Sequence, residues 1–373
     1  MRNFIKIISL TLSLALVALC CGCQGSVGKN ADDTKIYTNI KGATTLSNTE
    51  ITADTYNIKV CSFNVGNWYA GTHYGVPDPD HEWFGGDPTK QGVKVQRWLD
   101  ARAAWDADIF GLQECQPELV YNYYTDEQLA NYTSNMEGVK VTPDEFLSAK
   151  EGYKYAIGTG KIRWNNLSMY NGFLAKEGLN MTDFEIGHIC DDEAVFNRVY
   201  AKAYVTVGKV KIAVFSFHTS PTPHENQMPS GYNAEEVKQL RIQQLIEIKE
   251  LCAKEDYFIA FGDFNTGDSN DFQTFRDAGF NMANHSTFGS INTVDRVDEH
   301  NPIDNIITSS NIAITNAYSM YEWIGNSDHL PIVAELTIDP DAASVVNKNN
   351  TDADGFVDDY YKPTPKQDIA ERE

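Results

Sequence analysis

The stretch Tyr257-Phe258-Ile259-Ala260-Phe261-Gly262-Asp263-Phe264-Asn265 decides how the rest of this chain is read. A short run of large apolar residues closed by a glycine has the length and composition of a strand buried on both faces. Its end then switches abruptly to Asp263 and Asn265. A carboxylate or amide just after a strand is most often a turn residue or a cap. Here the arrangement repeats. Asn64 follows Val60 to Phe63, Gln113-Glu114 follow Ile109 to Leu112, His218 follows Ala213 to Phe217, and Asp328-His329 stand just before Leu330 to Ile338. Together these positions supply hard oxygen ligands and two imidazoles, the set needed for metal-assisted attack of water on a phosphoester.

Working outward, Ala234 to Ala253 is the longest amphipathic segment, with Val237, Leu240, Ile242, Leu245, Ile248 and Leu251 on or near one helical stripe. Val199 to Val207 and Val210 to Phe217 read as an antiparallel pair joined by Gly208-Lys209. Ile58 to Val65, Tyr153 to Ile157, Gly172 to Ala175 and Ile303 to Ile307 are further strands, and Val93 to Asp106 has helical spacing. No internal repeat is present. Strands with interposed helices covering the outer faces suggest an α/β protein built on a two-layer sheet sandwich.

The chain has 373 residues and a formal charge of −22. At 42% hydrophobic and 12% aromatic it can build a large core, which excludes general disorder. Residues 339–373 hold nine acids against four bases, so most of the negative charge belongs to the body. Such a body repels nucleic acid at long range, yet a bound divalent cation would invert the field locally.

Met1 to Lys6 form a basic start, and the apolar run Ile7 to Leu19 is too short to span a bilayer. With Gly22 before Cys23 the pattern resembles a bacterial lipoprotein signal over residues 1–22, with Cys23 receiving lipid and Cys20 and Cys21 as alternatives. An ordinary secretory signal is the other reading. Both place the mature protein outside the cytoplasm, on the cell surface or facing the periplasm. Residues 23–56 are polar and read as a flexible tether. Residues 339–373 read as an acidic, disordered tail. Within it, Asn350 to Val357 has the oxygen spacing of a calcium loop, but Tyr361 stands where a bidentate acid belongs, which favours a solvated tail. Cys61, Cys115, Cys190 and Cys252 show no CxxC pairing, so a zinc site is not expected.

Ser62-Phe63-Asn64, Gln113-Glu114, Phe217-His218, Gly262-Asp263-Phe264-Asn265, Ile303-Asp304-Asn305-Ile306 and Ser327-Asp328-His329 occur in an order that resembles the endonuclease/exonuclease/phosphatase superfamily over residues 57–338. Phe196-Asn197-Arg198 and His218-Thr219-Ser220-Pro221 make the chain most similar to the deoxyribonuclease I branch. The resemblance implies a four-layer sandwich: two packed, mainly antiparallel sheets with helices outside. It implies that Glu114, with Asn64 and Asp328, ligates Mg²⁺, with Mn²⁺ or Ca²⁺ as alternatives. Asp263 and Asn265 would position the attacking water and the phosphoryl oxygens. Asp304 would orient His329 as base or phosphate donor, and His218 would act from the other side as acid or donor. Arg198 would bind phosphate, and Asn171 is a weaker phosphate ligand.

Two departures bear on substrate. No acid stands on the strand ending Gly158-Thr159-Gly160, where that branch carries the partner of its first histidine, and Gln116 replaces an arginine used for the minor groove. Inositol-polyphosphate 5-phosphatases and abasic-site endonucleases are disfavoured by the residues around Asp304 and after Asn265. His73, Tyr74, His81, Trp83 and Phe84, with Lys161, Arg163 and Trp164, could stack a base or headgroup, or simply pack their own loops. The reading is therefore a membrane-tethered phosphodiesterase acting on nucleic acid, most simply a DNA endonuclease. The alternatives are a phosphatase or a sphingomyelinase-type lipid phosphodiesterase, and, less favoured, a binding protein that has lost catalysis. No protein partner is inferable.

Overall fold

The computed structural model describes residues 35–38, 40, 55–66, 102–115, 152–160, 170–190, 198–221, 232–294, 300–320 and 327–340. One sheet holds β1 (Lys35–Thr38), β2 (Tyr56–Asn64), β3 (Ile109–Gln113), β4 (Tyr153–Thr159), β5 (Asn171–Lys176), β12 (Ile312–Ser319) and β13 (Ile332–Ile338). Its order is β1-β4-β5-β3-β2-β13-β12. The other holds β6 (Thr182–Ile189), β7 (Arg198–Val207), β8 (Val210–His218), β9 (Phe258–Asp263), β10 (Asn281–Met282) and β11 (Asp304–Thr308), in the order β10-β11-β9-β8-β7-β6. Only β2 with β3 and β8 with β9 pair in parallel among the described strands.

Alternation explains how the sheets stack. Val60, Ile109 and Ile332 turn inward from the first sheet and meet Val214, Ile259 and Phe261 of the second. The residues between them turn outward: Cys61, Phe63, Phe110 and Leu112 pack under Trp105, from the helical turn at residues 102–105. On the far side, helix α1 (Ala234–Cys252) lays Leu245, Ile248 and Cys252 on Phe215, Phe217 and Phe258. Two packed sheets, with α1 over one outer face and the helical turn at residues 102–105 over the other, form the α/β sandwich that the sequence resemblance implies. Gly111 sets the spacing between the sheets: a Cβ there would stand 2.1 Å from Cγ of Phe261.

Helix α1 begins where its sequence allows. Asn233 Oδ1 accepts the Glu236 N–H at 3.1 Å, and Glu236 returns a carboxylate to the Asn233 N–H at 2.8 Å. Such a capping box contributes about 1 kcal/mol. The buried stripe is Val237, Arg241, Gln244, Leu245, Ile248 and Cys252, whereas Leu240, Ile242 and Leu251 are half-buried. Two polar residues therefore sit on the stripe where apolar ones were expected.

Other expectations are corrected. Residues 35–38, within the segment read as a tether, are strand β1, and they pair antiparallel with β4 from Lys35↔Thr159 to Thr38↔Ala156. The Thr38 hydroxyl also donates to the Tyr155 carbonyl at 3.0 Å. At the other end Tyr257 Oη donates to the carbonyls of Asp339 and Pro340 at 3.2 and 3.3 Å, so the first residues read as tail rest on the domain. The β7–β8 turn is Gly208-Lys209, as expected, with Gly208 at φ +58°. Cys61, Cys115 and Cys252 are buried, and none of the three is in a disulfide. No helix among the described residues is long and apolar enough to cross a membrane. The signal and Cys23, residues 93–101 of the expected helix, the loop aromatics, Lys161 to Trp164, Gln116, Phe196-Asn197 and the calcium-like stretch lie outside the described residues.

Candidate active site

Strand direction gathers the polar ends at one rim. β2, β3, β8 and β9 finish there, while β5, β7 and β11, running against them, begin there. Register then lines the residues up. Asn64, Gln113 and Asn171 form a row across the first sheet, and Asp304, Asp263 and His218 form a row across the second.

Asn64 joins the rows. Its Nδ2 donates to Asp263 Oδ2 at 3.0 Å and to Glu114 Oε1 at 3.3 Å, while its Oδ1 accepts the Gly66 N–H at 3.0 Å. Asp263 Oδ1 accepts the Asn265 N–H at 2.9 Å. Glu114 and Asn265 both hold left-handed backbones, φ 52° and 50°. For non-glycine residues that conformation costs on the order of 1 kcal/mol or more, and such strain clusters at functional sites.

The second histidine arrives from outside both rows. His329 bridges Val294 just before β13, and its Nδ1–H donates to Asp304 Oδ2 at 2.8 Å. That bond fixes the orientation of the ring and leaves Nε2 facing Asp263 Oδ2 at 3.5 Å. His218 Nε2 lies 3.4 Å from the same oxygen and 3.8 Å from Glu114 Oε1. The carboxylate partner of His218 that the sequence left open is not found on its Nδ1, which is buried and unbonded. Its near carboxylates are Asp263 and Glu114, on the Nε2 side.

Burial and charge set the protonation states. Burial, reinforced by the Arg198 and His329 cations, holds His218 well below the usual histidine range, hence neutral. His329 feels the same burial, but Asp304, Asp263 and Asp328 outweigh it and raise it well above that range. Burial pushes Asp263 up to about 7, with Asp304 adding to the rise and His329 opposing it. Glu114 is also raised, first by burial and then by Asp328, against the pull of His329, Asn64 and Arg198.

Of the remaining sequence-derived residues, Asp328 lies beside Gly66, with its Oδ1 3.4 Å from the Ser327 hydroxyl. Arg198 is buried, and desolvation brings its guanidinium down to about 10 despite Glu114 and Asp263. Two amides are partly committed elsewhere. Asn265 Nδ2 donates to the Thr219 carbonyl at 2.9 Å, and Asn171 Nδ2 donates to the Val199 carbonyl at 2.7 Å, a brace between the sheets. Asn171 keeps a buried, unbonded Oδ1.

The sequence reading missed the supports. Ser327 donates from Oγ to the Asn64 carbonyl at 2.9 Å and accepts the His329 N–H at 3.1 Å. Thr293 Oγ1 accepts the Asp304 N–H at 3.0 Å. Gln113, quoted only as the neighbour of Glu114, donates to Ser216 Oγ at 3.0 Å across the two sheets. For Ser327 the signal was its place in Ser-Asp-His; for Thr293 nothing in the pattern marked it.

A cation has two clusters to choose from. One ligand atom from each of Asp263, Asp304 and His329 lies within 4.8 Å of the others. There, however, His329 Nδ1 and Asp304 Oδ2 are already spent on one another. The other is Glu114 with Asp328, whose charge raises Glu114; Asn64 turns its Nδ2 to Glu114 and its Oδ1 to the Gly66 N–H. Two carboxylates suit a divalent ion such as Mg²⁺, which takes one or two of them together with water and substrate oxygens.

Comparison with known proteins bears on the fold and the family. The chain is similar to an endonuclease/exonuclease/phosphatase family protein from Bacteroides thetaiotaomicron, with a TM-score of 0.50 and 17% identity over 77% of this chain and 99% of that one. It is also similar to one from Beutenbergia cavernae, with a TM-score of 0.50 and 13% identity over 78% of this chain and 74% of that one. At such identities the likeness shows the fold. None of the curated proteins matches the chain significantly. The family model for endonucleases, exonucleases and phosphatases matches residues 55–329, from the edge of β2 through His329. By that match this chain belongs to the endonuclease/exonuclease/phosphatase family.

Proposed function

We propose that this chain is a Mg²⁺-dependent phosphodiesterase that cleaves nucleic acid, most simply DNA, from a lipid anchor on the outer side of a bacterial membrane. Members of the family are hydrolases of phosphoesters that use a divalent metal. The observation that carries the reading is the pair of imidazoles whose Nε2 atoms stand 3.4 and 3.5 Å from the one oxygen, Asp263 Oδ2. A phosphodiester needs a base for water and a donor for the departing oxygen, and this site supplies both kinds of group.

Asp263, with a pKa of about 7, sits where it can align water and accept its proton near neutrality. Asn64 holds that carboxylate in place and ties it to Glu114. His329, kept protonated by Asp304, Asp263 and Asp328, is a donor to phosphoryl oxygen. Neutral His218 offers its ring to the phosphate or the leaving oxygen from the strand on the other flank of β9. Arg198 neutralises phosphate charge. A divalent ion bound by Glu114, Asp328 and Asn64 would supply Lewis acidity to the phosphoryl oxygens.

Substrate class is tested by offering the purified protein plasmid DNA, RNA, sphingomyelin, bis-p-nitrophenyl phosphate and p-nitrophenyl phosphate with Mg²⁺. Cleavage of DNA and the diester, abolished by EDTA, is the expected result. Turnover confined to the monoester or to the lipid would overturn the nuclease reading. For the anchor, Cys23→Ser should move the protein from the membrane fraction to the soluble one.

A further inference from the structure

The loop after β8 is gripped from two directions. Toward the active site, Thr219 donates its N–H to the Asp263 carbonyl at 3.0 Å and accepts Asn265 Nδ2 on its own carbonyl at 2.9 Å. Toward the helix, Ser220 donates its N–H to Gln244 Oε1 at 2.9 Å, and its Oγ accepts Gln244 Nε2 at 3.0 Å. The same hydroxyl oxygen accepts Arg198 Nε at 3.4 Å. Gln244 and Ser220 have no exposed surface, and Arg198 is 3% exposed.

Gln244 is out of character for its position. It lies beside Leu245 on the stripe of α1 that packs against the second sheet. For packing alone an apolar side chain would serve as well, because a buried amide gives back in hydrogen bonds only what it loses in desolvation. Among the described residues, this amide holds one serine by both backbone and side chain. That serine holds Arg198, whose charge acts on Glu114 and Asp263 and has no carboxylate within 4.0 Å among the described residues. Tying Nε leaves the two terminal nitrogens of the guanidinium as the fork that recognises phosphate oxygens in pairs.

We propose that Gln244 is a positioning residue for phosphate binding: through Ser220 it fixes Nε of Arg198 and thereby aims the guanidinium fork at the rim. The proposal rests on the reading of Arg198 as the phosphate ligand, and it adds α1 to the working parts of the site.

The test is a double-mutant cycle on bis-p-nitrophenyl phosphate. Gln244→Leu and Ser220→Ala should each raise KM about tenfold, the size of one hydrogen bond to a charged group, with kcat within about threefold of wild type. In the Arg198→Ala background, Gln244→Leu should raise KM no further. An equal rise in that background would make Gln244 a packing residue and overturn the proposal. An Arg198→Ala protein with wild-type KM would instead remove the phosphate role of Arg198, and the proposal with it. Melting temperatures report folding; if Gln244→Leu does not fold, Ser220→Ala alone and with Arg198→Ala completes the same cycle.

Discussion

His218 and His329 converge on one carboxylate oxygen, Asp263 Oδ2, at 3.4 and 3.5 Å, the first from β8 and the second through its bond to Asp304 on β11. These strands flank β9 on its two sides, so the sheet order itself brings the imidazoles to a common point. Burial of both rings does not make them alike. The ring with a carboxylate on its Nδ1 is driven cationic, and the ring without one is driven neutral.

The orienting role of Asp304 gives the first prediction. Asp304→Asn preserves size but removes the charge that holds His329 protonated, and it lets an amide N–H face Nδ1 in place of an obligate acceptor. Turnover of bis-p-nitrophenyl phosphate should fall by about 10²- to 10⁴-fold, the range over which positioned acid–base groups act. A variant within threefold of wild type would take His329 out of the reaction.

Glu114 and Asp328 give the second. Their mutual repulsion, on top of burial, raises Glu114 and weakens the metal-free protein. After chelation, Glu114→Gln should therefore melt at or above the wild-type temperature. Readdition of Mg²⁺ at about 100 times its dissociation constant should stabilise wild type by about 2.7 kcal/mol and the variant far less. Equal metal-induced shifts in the two proteins would move the cation elsewhere.

A third prediction concerns pH and a histidine away from the rim rows. His285 is buried against Phe272, donates from Nε2 to the Pro302 carbonyl at 2.8 Å, and is brought by burial down to about 4. Its folded pKa lies below the unfolded value of 6.5, so below pH 6.5 the unfolded chain binds a proton that the folded one refuses. Stability is thus whole above pH 6.5 and declines as pH falls toward 4, by up to about 3 kcal/mol at 1.36 kcal/mol per unit. In denaturant titrations across that window His285→Gln should flatten the acid decline. An unchanged slope would mean that His285 is already protonated in the fold.

These residues also show how far the sequence alone reaches. The strand ends carrying Asn64, Glu114, His218 and Asp263 were legible because a buried strand permits few polar residues, and those it keeps stand out. Each strand in fact runs into its polar end: β8 includes His218 and β9 includes Asp263. Strands β6 and β12 were not legible. Register shifts between Thr182 and Glu185 and between Ile314 and Asn316 break the two-residue period on which strand reading depends. Gln244 and Ser327 escaped for another reason. Their value lies in partners distant along the chain, and a polar residue on an apolar stripe counts against the pattern until its partner is seen.

Strand β1 gives the last prediction, because composition argued against it. Lys35–Thr38 lies in a polar stretch, yet it covers the outer edge of β4 and ends the first sheet on that side. Its Lys35 end pairs with Thr159, at the rim where Gly158 pairs with Asn171, so the chain enters the sheet from the catalytic end. Deleting residues 24–40 should expose the unpaired groups of β4, a costly state for a sheet edge. A few net hydrogen bonds amount to about 2 kcal/mol, and at 2–4 °C per kcal/mol the melting temperature should fall by about 4–8 °C. Amide exchange should quicken along Tyr153–Thr159 and remain slow along β9. If β4 stays protected after the deletion, the segment is a tether after all, and the folded unit begins at β2.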